Sequence, residues 1–112
     1  MVIITGIIYL YRAVGIDEYA KIIKTNKFEI LEHGLQVKYF GLNYKETLDF
    51  ADKTINKDLI AIFEILIKIK CLNNLGDFTN VDSVIFKNGT VEIQADRLDE
   101  FNKAIISILH YF

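Results

Sequence analysis

The chain contains no proline and a single cysteine, Cys71. Without proline, the breaks between elements must come from glycine, asparagine and aspartate. A lone cysteine excludes a disulfide framework within the chain. Set beside two histidines far apart in sequence, it also gives no metal-ligand spacing. The six glycines are scattered and form neither a GxGxxG fingerprint nor a phosphate-binding loop. Neither sign of charge dominates: 13 Lys+Arg stand against 15 Asp+Glu, a formal net charge of −2, which advertises neither nucleic acid nor a membrane surface. No apolar run reaches transmembrane length, and the opening "MVIITGIIYLYRAV" lacks the basic start and small-residue cleavage site of a signal peptide. The unpaired thiol suits a reducing, cytoplasmic compartment.

What remains is a chain of 112 residues, 52% hydrophobic, enough for one domain around one core. The spacing predicts a first strand over Val2 to Val14, interrupted at Gly6 and ended by Gly15. Ile16, Tyr19, Ile22 and Ile23 then recur at helical spacing. Asp17 and Glu18 come early, where the helix dipole favours acids, and Thr25-Asn26 stop the helix. A turn at His33-Gly34 leads to the strand "VKYFGL". Asn43 suits an N-cap, with Glu46 placed for a capping box, and Leu48, Ala51 and Ile55 form the apolar face of the helix that follows. From Leu59 to Leu72 the chain alternates, with Phe63, Ile65, Ile67, Ile69 and Cys71 on one side. "NNLGDFTNVDS" reads as a loop. Asn88-Gly89 is a hairpin-type turn that leads to Val91 and Ile93 inward, with Thr90, Glu92 and Gln94 opposite. Asp96 is placed to cap a short helix through Lys103, and "AIISILHYF" returns as a last strand. The order β-α-β-α-β-loop-β-α-β favours α+β over a doubly wound sheet.

Few residues could carry chemistry. Arg12 closes an apolar strand, where burying a charge is costly unless it is paired. Tyr39, Phe40 and Phe50 bracket a strand-into-helix corner, and Glu92 sits in "GTVEIQ". Each has a plain reading: an arginine meeting solvent, core aromatics, the open side of an edge strand. Cys71 reads as a buried core thiol, and His33 and His110 as surface or packing residues.

Taken in order, "YRAV", "KYFGLNYKETLDFA" and a late glutamate strand running into "ADRLDEFN" resemble the ADP-ribosyltransferase fold. The longer pattern "LYRAV…EYAKIIKTNKF…KYFG…FADK…GDFT…VDSVIFKNGTVEIQADRLDEFNKAI" resembles the small ADP-ribosyltransferase-like domains of bacterial polymorphic toxins over almost the whole chain. The resemblance implies a single domain over residues 1–112 with a split β-sheet core and short helices. It implies NAD as substrate, a macromolecular target that is a protein, a cognate immunity protein as partner, and delivery into a target cell's cytoplasm. It implies that Arg12, Tyr39 and Phe50 bind the dinucleotide, the two rings sandwiching nicotinamide, and that Glu92 is the catalytic carboxylate. Arginine suits a diphosphate through its fork of donors. The arginine-type serine motif is absent from "YFGLN", and counting back from "ADRLDEFN" places the family's glutamate position on Val91, one residue before Glu92. A non-enzymatic binding module or inhibitor on the same fold, with a degenerate active site, is the alternative.

Overall fold

A computed structural model describes residues 6–29, 37–54, 56–80 and 82–111. Among them, β1 (Ile7–Val14) leads into α1 (Ile16–Thr25), and β2 (Val37–Gly41) into α2 (Tyr44–Thr54). After a 3₁₀ turn at Asn56–Asp58 come β3 (Ala61–Lys68), α3 (Ile69–Leu75) and β4 (Gly76–Thr79). β5 (Thr90–Gln94), a second 3₁₀ turn at Ala95–Arg97, α4 (Leu98–Ala104) and β6 (Ile105–Tyr111) complete the order. The strands form one sheet in the order β4-β5-β2-β1-β3-β6, with every pairing antiparallel. The fold is therefore α+β, as the sequence suggests. Residues 2–5, the His33-Gly34 turn and Ile55 lie outside the described residues.

Alternation assigns each side chain to a face. Leu10, Val14, Phe40, Phe63, Ile65, Ile67, Val91 and Ile93 share one face and are buried. α1, α3 and α4 cover that face through Ile22, Leu72 and Phe101. Four phenylalanines tie the layers together: Phe28 packs edge-on against Phe40, Phe63 and Phe101 at 5.3, 6.3 and 6.4 Å, and Phe40 meets Phe101 at 5.1 Å. Such pairs contribute roughly 0.5–1.5 kcal/mol each beyond the area they bury. Asn102 of α4 fixes Phe28 by accepting from its N–H and donating to its C=O, both at 2.8 Å.

The opposite face is partly covered by α2, which packs where Tyr11 and Gly41 meet. Asn43 caps this helix as its sequence suggests, its Oδ1 accepting from the Glu46 N–H at 3.0 Å. The buried stripe is Thr47 and Ala51 rather than Leu48, because Thr47 faces Gly41, whose missing side chain lets the helix approach the strand.

Three expectations need correction. The strand does not run to Leu72. Beyond the Ile7–Lys68 pair, Ile69 donates to the Gly6 carbonyl at 2.6 Å, and the chain turns into α3. Cys71 therefore lies on a helix and is half-buried rather than a strand's buried thiol. The "GDFT" stretch, read as loop, is the edge strand β4. Asp96 sits inside a 3₁₀ turn, neither that turn nor α4 has a side-chain cap, and α4 begins at Leu98.

The joint between β1 and β2 is narrow. Their pairing is confined to Tyr11 opposite Gly41, whereas β1 and β3 pair along all eight residues of each strand. Two three-stranded halves, β4-β5-β2 and β1-β3-β6, thus meet at one point.

Candidate functional site

Arg12 has the same parity as Leu10 and Val14, so its side chain enters the core face beneath α1. A guanidinium with only 21% of its side chain exposed requires partners. Glu18, in the first turn of α1, supplies two: Nε and Nη2 donate to its carboxylate at 2.6 and 2.9 Å. Nη1 donates to the Tyr39 carbonyl oxygen at 2.9 Å, spanning the gap where a β1–β2 ladder would run. The guanidinium carbon lies 5.9 Å from the centre of the Phe40 ring. Lys38, 5% exposed, completes the group with Nζ 3.3 Å from Glu18.

Two cations and one anion are thus held together at the margin of the core, Lys38 buried and Arg12 and Glu18 half-buried. Burial raises the Glu18 carboxyl's pKa, but the bonds and charge of Arg12, with help from Lys38, outweigh it and hold the group below the ordinary glutamate value. Burial, and then the Arg12 charge, push Lys38 below the ordinary lysine value despite the pull of Glu18. Neither Glu18 nor Lys38 stood out in the sequence. The parity of Arg12 with Leu10 and Val14 was the signal that it faces inward and needs a counter-charge.

Tyr39 and Glu92 lie on the other face. They are direct partners across β2 and β5, and Gln94 donates to Glu92 Oε1 at 2.8 Å. Partial burial, followed by the Glu92 carboxylate beside it, raises the Tyr39 phenol above its ordinary value. The next strand adds a residue that the loop reading of "GDFT" concealed: Asp77 is paired with Glu92. Tyr39, Glu92 and Asp77 therefore form one row across three strands. Val91, the position reached by counting from "ADRLDEFN", is fully buried in the core.

Phe50 projects from α2 on this same side of the sheet, but its ring packs on Phe86 at 5.0 Å. Phe86 is buried, one ring edge against Gly41, in the connection between β4 and β5. Two further links fasten that connection to α2. Lys53 pairs with Asp82 at 3.2 Å, and Asn88 donates to Glu46 from its side chain at 2.8 Å and its backbone N–H at 3.3 Å. Glu46 is thereby drawn to Asn88 rather than back into a capping box. Thr90, expected outward, is buried there and shares a 2.8 Å hydrogen bond with Thr79.

Of the four residues singled out, Tyr39 and Glu92 are thus brought together. Phe50 stands over the same face against Phe86, and Arg12 reaches only the backbone of Tyr39 from behind. His110 packs its ring on Tyr19 and Phe63 at 5.8 and 5.7 Å, while His33 lies outside the described residues. Among the described residues no three His, Cys, Asp or Glu side chains gather as metal ligands, and no helix is long and apolar enough to cross a membrane. No family model, curated protein or solved structure matches the chain.

Proposed function

We propose that this chain is an ADP-ribosyltransferase-like domain that binds NAD against the sheet face bearing Tyr39 and Glu92 and transfers ADP-ribose to a protein target. The observation that supports this reading is the register of β2 against β5. It sets Glu92 directly opposite Tyr39 while Val91 turns into the core. In such a reaction the bond from ribose C1′ to the nicotinamide nitrogen breaks, and nicotinamide leaves with the electron pair. The target's nucleophile bonds to C1′ and gives up its proton. An aromatic face suits the flat leaving ring, and a carboxylate suits the positive charge that grows on the ribose. Arg12 enters this scheme as a positioning residue, holding the Tyr39 backbone rather than the diphosphate. In an effector delivered to another cell, an immunity protein would cover this same face.

The test is thermal unfolding and transfer of labelled ADP-ribose with NAD. NAD should raise the melting temperature of the wild type. Tyr39→Ala should remove that rise, and Glu92→Gln should keep it while losing transfer. No rise with saturating NAD sinks the proposal.

A second reading, a non-enzymatic binding module or inhibitor on this fold, is favoured by the commitment of Arg12 to Glu18 on the face opposite Glu92. It predicts no nucleotide effect, together with a partner complex that Glu92→Gln leaves intact.

A further inference from the structure

We propose that Gln94 is a positioning residue of the Tyr39–Glu92 face: its side-chain amide holds the Glu92 carboxylate where positive charge grows on the ribose. This role rests on the reading of that face as the site of NAD cleavage. Alternation along β5 turns Glu92 and Gln94 to the same side, two residues apart, and both are half-buried. Gln94 Nε2 donates to Glu92 Oε1 at 2.8 Å. Gln94 also stands in the cap position of the 3₁₀ turn at Ala95–Arg97, yet its side chain does not serve that turn. The amide is committed to the carboxylate instead.

The neighbours of Glu92 give this bond its consequence. Tyr39 is its partner on β2 and Asp77 its partner on β4. Two carboxylates directly opposite repel one another, which pushes Glu92 aside without choosing where it rests. The Gln94 bond chooses. It draws the carboxylate along β5 toward the Val37–Gln94 pair, away from the Gly41–Thr90 end where Phe86 packs. A hydrogen bond to a charged acceptor is among the stronger ones. Its donor is itself fixed, because the chain beyond Gln94 runs at once into the turn and α4, whose Leu98 and Phe101 are buried. A carboxylate that acts on a transition state must be held closely, since misplacement by about 1 Å costs on the order of a hundredfold in rate.

The rate is read without a protein target, as nicotinamide released from NAD with water as acceptor. Water bonds to ribose C1′, the bond to the nicotinamide nitrogen breaks with its electron pair going to nicotinamide, and the proton from water passes to solvent. The wild type should bind NAD and release nicotinamide. Gln94→Met keeps the reach of the side chain and removes the donor. It should lower kcat at least about tenfold while KM for NAD and the NAD-induced rise in Tm stay unchanged. In a Glu92→Gln background, Gln94→Met should cost little more, because the group it positions is gone. The Gln94 side-chain amide resonances give a readout apart from activity: they should move on acidification as Glu92 takes up a proton, and stay fixed in Glu92→Gln. A wild type that NAD neither stabilises nor reacts with sinks the site itself and this role with it. A wild type that binds NAD without releasing nicotinamide overturns the role and leaves NAD binding standing. With cleavage intact, an unchanged kcat in Gln94→Met, a loss carried by KM, an equal loss without Glu92, or amide signals indifferent to Glu92 each overturns the role of Gln94 alone.

Discussion

Arg12 Nη1 donates to the carbonyl oxygen of Tyr39 at 2.9 Å, although the two side chains occupy opposite faces of the sheet. One side chain thus does the work of a missing ladder. β1 and β2 share only the Tyr11–Gly41 pair, and the guanidinium links them one step further along. Its remaining bonds to Glu18 tie α1 into the same joint.

Glu18→Gln should therefore be costly and Lys38→Met cheap. The glutamine leaves two largely desolvated cations without their anion; breaking a fully buried pair costs about 3 kcal/mol or more, and the half-buried Arg12–Glu18 pair should cost up to about that. Lys38→Met removes the unbalanced charge and retains the Arg12–Glu18 pair, so its stability should fall little or rise. Urea unfolding of the two variants checks the order; a Lys38→Met as damaging as Glu18→Gln would contradict it.

The same group sets the acid limit. The folded Glu18 carboxyl titrates below its ordinary value of 4.5, so the unfolded chain takes up the proton first as pH falls. The stabilisation is complete above the ordinary value and is lost as pH drops from there through the lower folded value. Stability measured against pH should accordingly decline in that window, and Glu18→Gln should flatten the decline.

Gly41→Ala should destabilise, because the added methyl meets Thr47 Oγ1 and lies 3.0 Å from Phe86 Cε1. Overfilling a packed site costs about 1–3 kcal/mol. Adding Thr47→Ala removes the nearer obstacle, and the double variant should be less damaged than the two single effects combined. Thermal melts of the three variants decide this.

Asn43→Ala removes the acceptor for the Glu46 N–H and should cost about 1 kcal/mol. The loss should appear as faster amide exchange in the first turn of α2, with β3 unaffected.

Asp77→Asn relieves the direct opposition of two carboxylates across β4 and β5 and should stabilise by a few tenths to about 1 kcal/mol. Added salt should shrink the difference between variant and wild type.

Much of this architecture was legible because periodicity is local. The alternation of Phe63, Ile65 and Ile67 and the helical spacing of Tyr19 and Ile22 follow from which side chains must be buried. The end of β3 was hidden because Ile69, Lys70 and Cys71 continue the alternation past the point where the chain turns into α3. The spacing of Ile69, Leu72 and Leu75 was the helical signal there. The site was less legible, since Arg12 meets Glu18 only because α1 folds back over β1, and Asp77 meets Glu92 only through a strand too short to announce itself. The side on which Glu92 lies was fixed by register, a property of two strands rather than one.

Along α2, Glu46, Phe50 and Lys53 recur at intervals of four and three residues and so form a single ridge. Each finds a match of its own kind in the 82–89 connection: Asn88, Phe86 and Asp82. An acid, a ring and a base in sequence make a key with one orientation. Sliding the connection by one helical turn would set Phe86 against a charge and leave Asp82 beside a ring. The segment that shapes one border of the Tyr39–Glu92 face can therefore seat in one register alone, which gives that border a definite position although no strand runs through it.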